Sequence, residues 1–327
     1  MIYPVFLHKN DVIGICAPSA GVGHKLESFD FSLHNLHEQG YRTKETPSVR
    51  VDDPRGGDGR TRAEELVSLF TDDEVTMVMA AAGGDFLDEI LPYVDFKTMK
   101  KHPKWLMGAS DPTGLLFPFT TKFDVATLYG ENAGGYDLDP KPTFLKNNLK
   151  FLKGDLPVQK SYPRWMSVPP FEAEEIVFDA PSQWQSNVKE LDVNGRCIGG
   201  CIDVLKDLIG TPYDGAKDFV RRYQDDGIIW YFDNFSLSAE VLYRTLLQFK
   251  YAGWFKHTKA VILGRTLFPN SDTGMDYMDA LTMALPDLPV LGEADIGHTL
   301  PRMTMINGAV LHLEWKRKKA TLTFSLD

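Results

Sequence analysis

Lys104-Trp-Leu-Met-Gly-Ala-Ser110-Asp111-Pro-Thr-Gly-Leu-Leu116 passes from an apolar, strand-like run into a helical pattern with almost no loop between them. Pro112 suits a first helical turn, where its missing N–H costs nothing, and Asp111 is placed to cap that helix. A strand feeding straight into a helix is the building unit of parallel α/β sheets. It sets Ser110 at the carboxyl edge of the sheet, where open sheets of this kind place their ligands. The helix start also offers backbone N–H donors to a developing oxyanion, the geometry of a nucleophile elbow. Taken alone, the segment leaves open that Ser110 is only a helix cap.

Outward from this segment the alternation continues. Strand-like runs at 12–17, 41–46, 75–82 and 125–129 interleave with helical patterns at 26–39, 61–70, 86–96 and 111–123. Such βαβα order predicts a doubly wound parallel sheet. From about 130 to 193 the pattern loosens, with Pro140, Pro142, Pro157, Pro163, Pro169, Pro170 and Pro181 breaking any long element. Only 142–152 reads there as a short helix. Beyond Gly199 a second regular region follows, with helices at 202–209, 238–249 and 275–285 and strands at 228–232, 260–264 and 290–293. It ends in a hairpin around the basic turn Lys316 to Lys319. The expected organisation is a nucleophile domain over 1–135, a crossing segment over 136–193 and a C-terminal α/β domain over 194–327.

With 327 residues, 43% of them hydrophobic and 24% charged, the chain can build real cores. Its formal net charge of −10 disfavours a phosphate-backbone partner, which demands a basic face. The first ten residues lack the pattern of a signal peptide, and no apolar run is long enough to span a bilayer. Cys16, Cys197 and Cys201 show no metal-type pairing beyond one weak four-residue spacing. A reducing cytoplasm is the expected location.

Three further segments carry potential chemistry. Gly83-Gly84-Asp85 follows a strand, and glycine there lets a backbone N–H approach a substrate oxygen; paired glycines also serve as plain turn punctuation. In Gly292-Glu-Ala-Asp295-Ile-Gly297-His298-Thr299 a histidine sits between small residues after a strand end, a setting suited to proton shuttling. Of the eight histidines, His298 alone has such a setting. Ile228-Ile-Trp-Tyr-Phe-Asp233-Asn234 is an apolar strand ending in a carboxylate, which can orient an imidazole or cap the next helix. Glu240 and Glu293 are alternative acids.

In order along the chain, these segments resemble the LD-carboxypeptidase family of serine peptidases, in particular its branch of microcin C self-immunity hydrolases. The resemblance also rests on Gly14-Ile-Cys-Ala-Pro18-Ser19, Arg62-Ala-Glu-Glu-Leu66, Leu91-Pro-Tyr-Val-Asp95, Ile198-Gly-Gly200 and Gly210-Thr-Pro-Tyr213. It implies an N-terminal Rossmann-like domain, a second C-terminal α/β domain and an active site in the cleft between them. It implies Ser110 as nucleophile, His298 as general base and then acid, Asp233 as orienting acid, and the Gly84 and Asp111 N–H groups as oxyanion hole, with no metal or organic cofactor. The substrate expected is a small peptide or an aminoacyl-nucleotide, with Trp165 a candidate platform for a nucleobase; a homodimer is allowed. Two departures stand out. The family's orienting glutamate is replaced by Asp233, shorter by roughly 1.5 Å of reach, and its Gly-Gly-Asn-Leu turn reads Gly199-Gly200-Cys201-Ile202. Both encourage a rival reading as a ligand-binding homologue that has lost turnover. Dinucleotide binding lacks support, because no Gly-x-Gly-x-x-Gly turn follows the first strand.

Overall fold

A computed structural model describes residues 1–173 and 175–327. The chain divides into two compact units, Met1–Asp155 with Thr304–Gly308, and Leu156–Met303 with Ala309–Asp327.

The first unit is built on β1 (Val12–Cys16), β2 (Arg42–Glu45), β3 (Val75–Ala80), β4 (Trp105–Gly108) and β5 (Thr127–Tyr129), all parallel. Spatial order is β2, β1, β3, β4, β5, with Met305–Asn307 returning antiparallel beside β5. The doubly wound sheet read from the alternation is therefore present, and its strand order reverses between β1 and β3. In such sheets the carboxyl-end crevice at the reversal is the usual ligand position. Every residue of β1 and β4 is buried, the continuous apolar pattern of strands covered on both faces. The cover comes from α1 (Leu26–Glu38), α2 (Gly59–Thr71), α3 (Phe96–Lys101), α4 (Thr113–Phe123) and α5 (Thr143–Leu152). Asp58 starts α2 by accepting from the Thr61 N–H. The helix expected over 86–96 is instead two 3-10 turns, Leu87–Glu89 and Leu91–Tyr93, before α3. Pro92 breaks the hydrogen-bond ladder, and Asp95 caps α3 through the Thr98 N–H.

The second unit holds a mixed sheet. Its strands in chain order are β6 (Gln159–Lys160), β9 (Gln185–Ser186), β10 (Leu191–Cys201), β11 (Ile228–Asp233), β12 (Thr258–Gly264), β13 (Val290–Ala294), β15 (Val310–Lys316) and β16 (Lys319–Ser325), where the returning strand Met305–Asn307 of the first unit counts as β14. β7 (Arg164–Trp165) and β8 (Ala180–Pro181) pair separately. Strands β10 to β13 are parallel neighbours, flanked by antiparallel β15, β16 and β6 on one side and β9 on the other. Helices α6 (Ile202–Leu208), α7 (Ala216–Arg222), α8 (Ala239–Tyr251) and α9 (Tyr277–Ala284) complete the unit. Trp230 of β11 stacks on Trp254 at 5.4 Å between ring centres, within a cluster that includes Phe232, Phe249 and Phe255. The parallel register brings the carboxyl ends of β11, β12 and β13 to one edge, where the loop bearing His298 begins. Sequence periodicity missed α7, β14 and the two-residue ladders β6 to β9, too short to leave a pattern, and also the 11-residue β10, where Asn194, Gly195, Gly199 and Gly200 interrupt the apolar run. Among the described residues, no helix is long and apolar enough to cross a membrane.

Candidate active site

In the first unit the chain leaves β4 at Gly108 and reaches α4 through four residues, of which Ser110 has φ +69°. A non-glycine residue in this left-handed region costs about 1–3 kcal/mol and persists only where its surroundings over-determine it. They do so here. The Ser110 N–H donates to the Tyr129 hydroxyl at 3.1 Å. The Asn132 side chain clasps the preceding peptide, accepting from the Ala109 N–H at 3.0 Å and donating to the Ala109 carbonyl at 3.3 Å. Ser110 is not a helix cap, since α4 starts at Thr113 after Pro112.

The expectation that Asp111 caps α4 fails. Its carboxylate turns away, accepting from the Ser19 hydroxyl and from the Leu87 N–H at 3.0 Å. Burial lifts this carboxyl to about 6, against the lowering pull of those hydrogen bonds. Asp111 thereby ties together the ends of β1, β3 and β4. Buried Arg62 reinforces the same junction, donating to the Pro18 carbonyl at 2.8 Å and to Glu89 at 3.0 Å.

The Gly83-Gly84 turn lies against the serine: a Cβ at Gly83 would stand 3.0 Å from Ser110 Cβ and 3.3 Å from its Oγ. Gly84 has φ +150°, and a Cβ there would fall 2.5 Å from the Ser19 hydroxyl. Among the described residues none accepts from the N–H of Gly84 or of Asp111. Two unengaged backbone donors beside a strained serine are an arrangement able to receive a developing oxyanion.

In the second unit β11 ends at Asp233, which is fully buried. The His298 Nδ1 lies 2.8 Å from Asp233 Oδ2 and 3.0 Å from Oδ1, and the His298 N–H also reaches Oδ1 at 3.3 Å. The carboxylate therefore holds one ring nitrogen and leaves Nε2 for proton transfer. Gly297 makes the approach possible. At its φ of +102° a Cβ would stand 1.9 Å from Asp233 Oδ1, so no other residue fits. Phe235 packs on the imidazole at 4.7 Å between ring centres.

Cys201 pairs in register with Asp233 and is buried, and burial together with that neighbouring carboxylate pushes its thiol well up. Asp203, which the sequence did not single out, accepts from the Phe235 and Ser236 N–H groups, both at 3.0 Å, fixing the turn after Asp233. Its only sequence signal was its place in the first turn of a helix.

Trp165 lies on β7, partly exposed, with the Arg265 guanidinium 4.4 Å from its ring centre. Arg265 itself is 3% exposed and donates to Asp295 at 3.2 Å, to the Ser182 hydroxyl at 3.0 Å and to the Glu293 carbonyl at 3.1 Å. Asp295 also accepts from Trp184 Nε1 and the Tyr162 N–H, both at 2.8 Å. One buried ion pair thus joins the segment bearing Trp165 to the loop bearing His298. Glu293 has φ +57°, and burial raises its carboxyl despite nearby Arg265. It faces Arg265 at 3.4 Å. Glu240 instead caps the turn at Ser271 and Thr273 through 2.6 Å and 2.7 Å hydrogen bonds.

Residues 13–130 match the LD-carboxypeptidase N-terminal domain and residues 194–313 the LD-carboxypeptidase C-terminal domain. A Vibrio cholerae protein with a provisional carboxypeptidase name is 27% identical over 93% of this chain and 92% of its own length. The microcin C7 self-immunity protein MccF of Escherichia coli is 25% identical over 84% of this chain and 81% of its own. Among solved structures, MccF in complex with aspartyl sulfamoyl adenosine superposes with a TM-score of 0.83 at 22% identity, covering 99% of this chain and 98% of that one. A muramoyltetrapeptide carboxypeptidase from Oxalobacter formigenes gives 0.75 at 22% identity, covering 96% and 99%. With both domains matched in order over most of its length, the chain belongs to the LD-carboxypeptidase family of serine peptidases.

Proposed function

We propose that this chain is a serine hydrolase of the microcin-immunity type, cleaving the amide-like bond of aminoacyl-nucleotide analogues through Ser110, His298 and Asp233. Ser110 Oγ attacks the acyl carbon while His298 Nε2 takes its proton. The N–H groups of Gly84 and Asp111 receive the oxyanion. His298 returns the proton to the leaving nitrogen, the C–N bond breaks, and water, deprotonated by the same imidazole, releases the acyl group from Ser110. For these steps the serine hydroxyl must come within about 3.2 Å of Nε2. The observation that carries the reading is the strained Ser110 beside two unengaged backbone donors. The Asp233–His298 pair supplies the base.

The substrate class is supported by the MccF structures, whose ligands are aspartyl sulfamoyl adenosine and glutamyl sulfamoyl guanosine. Trp165 is the aromatic residue proposed to receive the nucleobase. Base stacking on an aromatic is worth about 1–3 kcal/mol, so Trp165→Ala should raise KM roughly 5- to 150-fold for a nucleotide substrate and leave a peptide substrate unaffected. The second reading is release of a terminal D-residue from cytoplasmic muropeptides in cell-wall recycling, favoured by the Oxalobacter neighbour. The proposed setting in both cases is the cytoplasm, in the first as protection against a nucleotide antibiotic.

The test is a hydrolysis panel comparing an aminoacyl sulfamoyl adenylate with an L,D-tetrapeptide, on the wild type and Ser110→Ala. Turnover of the nucleotide alone, abolished in Ser110→Ala and accompanied by an acyl mass shift on Ser110, is expected. Turnover of the tetrapeptide alone selects the second reading. A protein that binds but never acylates at Ser110 is a non-catalytic homologue.

A further inference from the structure

The second unit contains a cavity of about 620 Å³ between residues 182–186 and the tip of the β15–β16 hairpin. It shares no residue with the Ser110, Asp233 and His298 constellation. Arg317, Lys318 and Lys319 line one wall, Gln183 and Gln185 stand opposite, and none of the lining residues is acidic. Lys316, just outside, is paired with Glu190 at 3.8 Å. Among the described residues, by contrast, Arg317, Lys318 and Lys319 have no ion-pair partner. In a chain of net charge −10, three unpaired cations around one acid-free cavity are a local reversal of sign.

The backbone of the tip adds an independent observation. Lys316 and Lys319 pair across a two-residue turn whose central residues, Arg317 and Lys318, have φ of +51° and +60°. That turn type calls for Asn-Gly, which enters the left-handed region at least cost. Two long cations occupy the strained positions instead. The hairpin register holds both residues in that region, and both line the cavity.

We propose that this cavity is a binding site for a small oligophosphate. Two ammonium groups act as point charges on tetrahedral phosphate oxygens and one guanidinium fork adds bidentate contact, while the Gln183 and Gln185 amides can supply neutral donors. The volume accommodates a chain of several phosphates. Trp184, whose Nε1 is held by Asp295 at 2.8 Å, forms part of the lining, so occupancy should alter tryptophan fluorescence.

The experiment is calorimetric titration of the full chain with tripolyphosphate and with citrate, at low and high salt, on the wild type, R317N/K318G and K100Q/K101Q. The double turn variant restores the preferred turn residues, so it should melt no lower than the wild type in the absence of ligand. Saturable tripolyphosphate binding is expected in the wild type and in K100Q/K101Q, weakened by salt and by at least about tenfold in R317N/K318G. The proposal is overturned by wild-type binding that fails to saturate below about 10 mM, by unchanged binding in R317N/K318G, or by equal loss in K100Q/K101Q. Citrate binding of comparable affinity overturns the phosphate assignment.

Discussion

Glutamate is the acid that the family resemblance implies at position 233, and replacing Asp233 by it should nevertheless damage the proposed Asp233–His298 pair. The substitution inserts one methylene, roughly 1.5 Å, between the β11 backbone and a carboxylate already 2.8 Å from His298 Nδ1. No slack is available. Asp233 is fully buried, and Gly297 approaches so closely that even a Cβ would meet Asp233 Oδ1, Cγ and Cβ at 1.9, 2.3 and 2.9 Å. Overpacking of this kind costs about 1–3 kcal/mol, which lowers the melting temperature by roughly 2–4 °C per kcal/mol in a unit of this size. A carboxylate displaced by about 1 Å or more also mis-sets the imidazole, and misplacement on that scale costs about 100-fold in rate. Asp233→Glu should therefore retain its far-UV spectrum, melt several degrees lower and lose about two orders of magnitude in kcat/KM. Asp233→Asn keeps the packing but favours the wrong tautomer and should lose about 10⁴-fold in kcat. Wild-type or improved kcat/KM in Asp233→Glu would show that the short acid is not dictated by the close passage of Gly297.

Three further outcomes follow from the geometry. Gly84→Ala forces a Cβ to 2.5 Å from the Ser19 hydroxyl at φ +150°; displacement of the proposed oxyanion donor should cut kcat about 10²- to 10³-fold with little change in KM, measured by steady-state hydrolysis. Asp111 is held at about 6 in the folded chain against an ordinary 3.8, so the native state binds its proton more tightly. Its contribution is fully present below pH 3.8 and lost as pH rises to about 6, a span worth about 3 kcal/mol; denaturant titrations should show that decline flattened in Asp111→Asn. Arg265→Met strands the fully buried Asp295, which should cost about 3–5 kcal/mol in unfolding experiments, whereas a stable variant would argue that Trp184, Ser182 and the Tyr162 N–H satisfy that carboxylate without the cation.

Much of the architecture was legible in the sequence. The strand-to-helix junction around Ser110, the βαβα alternation and the apolar β11 ending in Asp233 are local patterns, set by side-chain periodicity and by residues with restricted backbone freedom. The same locality singles out Ser110, Gly84, Asp233 and His298 as candidates, because each lies where a strand stops or shortly after. Legibility failed where elements were short or their partners distant. The helix read over 86–96 dissolved into 3-10 turns because Pro92 interrupts it, and α7 and the two-residue ladders of the crossing segment were too brief to carry a period.

What only the tertiary structure decided are contacts between residues far apart in the chain. Asp111 looked like a helix cap, yet its carboxylate turns to Ser19 and Leu87, 92 and 24 residues away. Asp203 and Arg265 were silent in the sequence because a charged residue in a helix or after a strand reads as solvated until its buried acceptors are known. The reach of Asp233 was likewise undecidable from chain order: its contact with His298 depends on how closely Gly297 passes over it. Local backbone chemistry chooses the elements and their ends, whereas burial and through-space distance choose which polar groups meet.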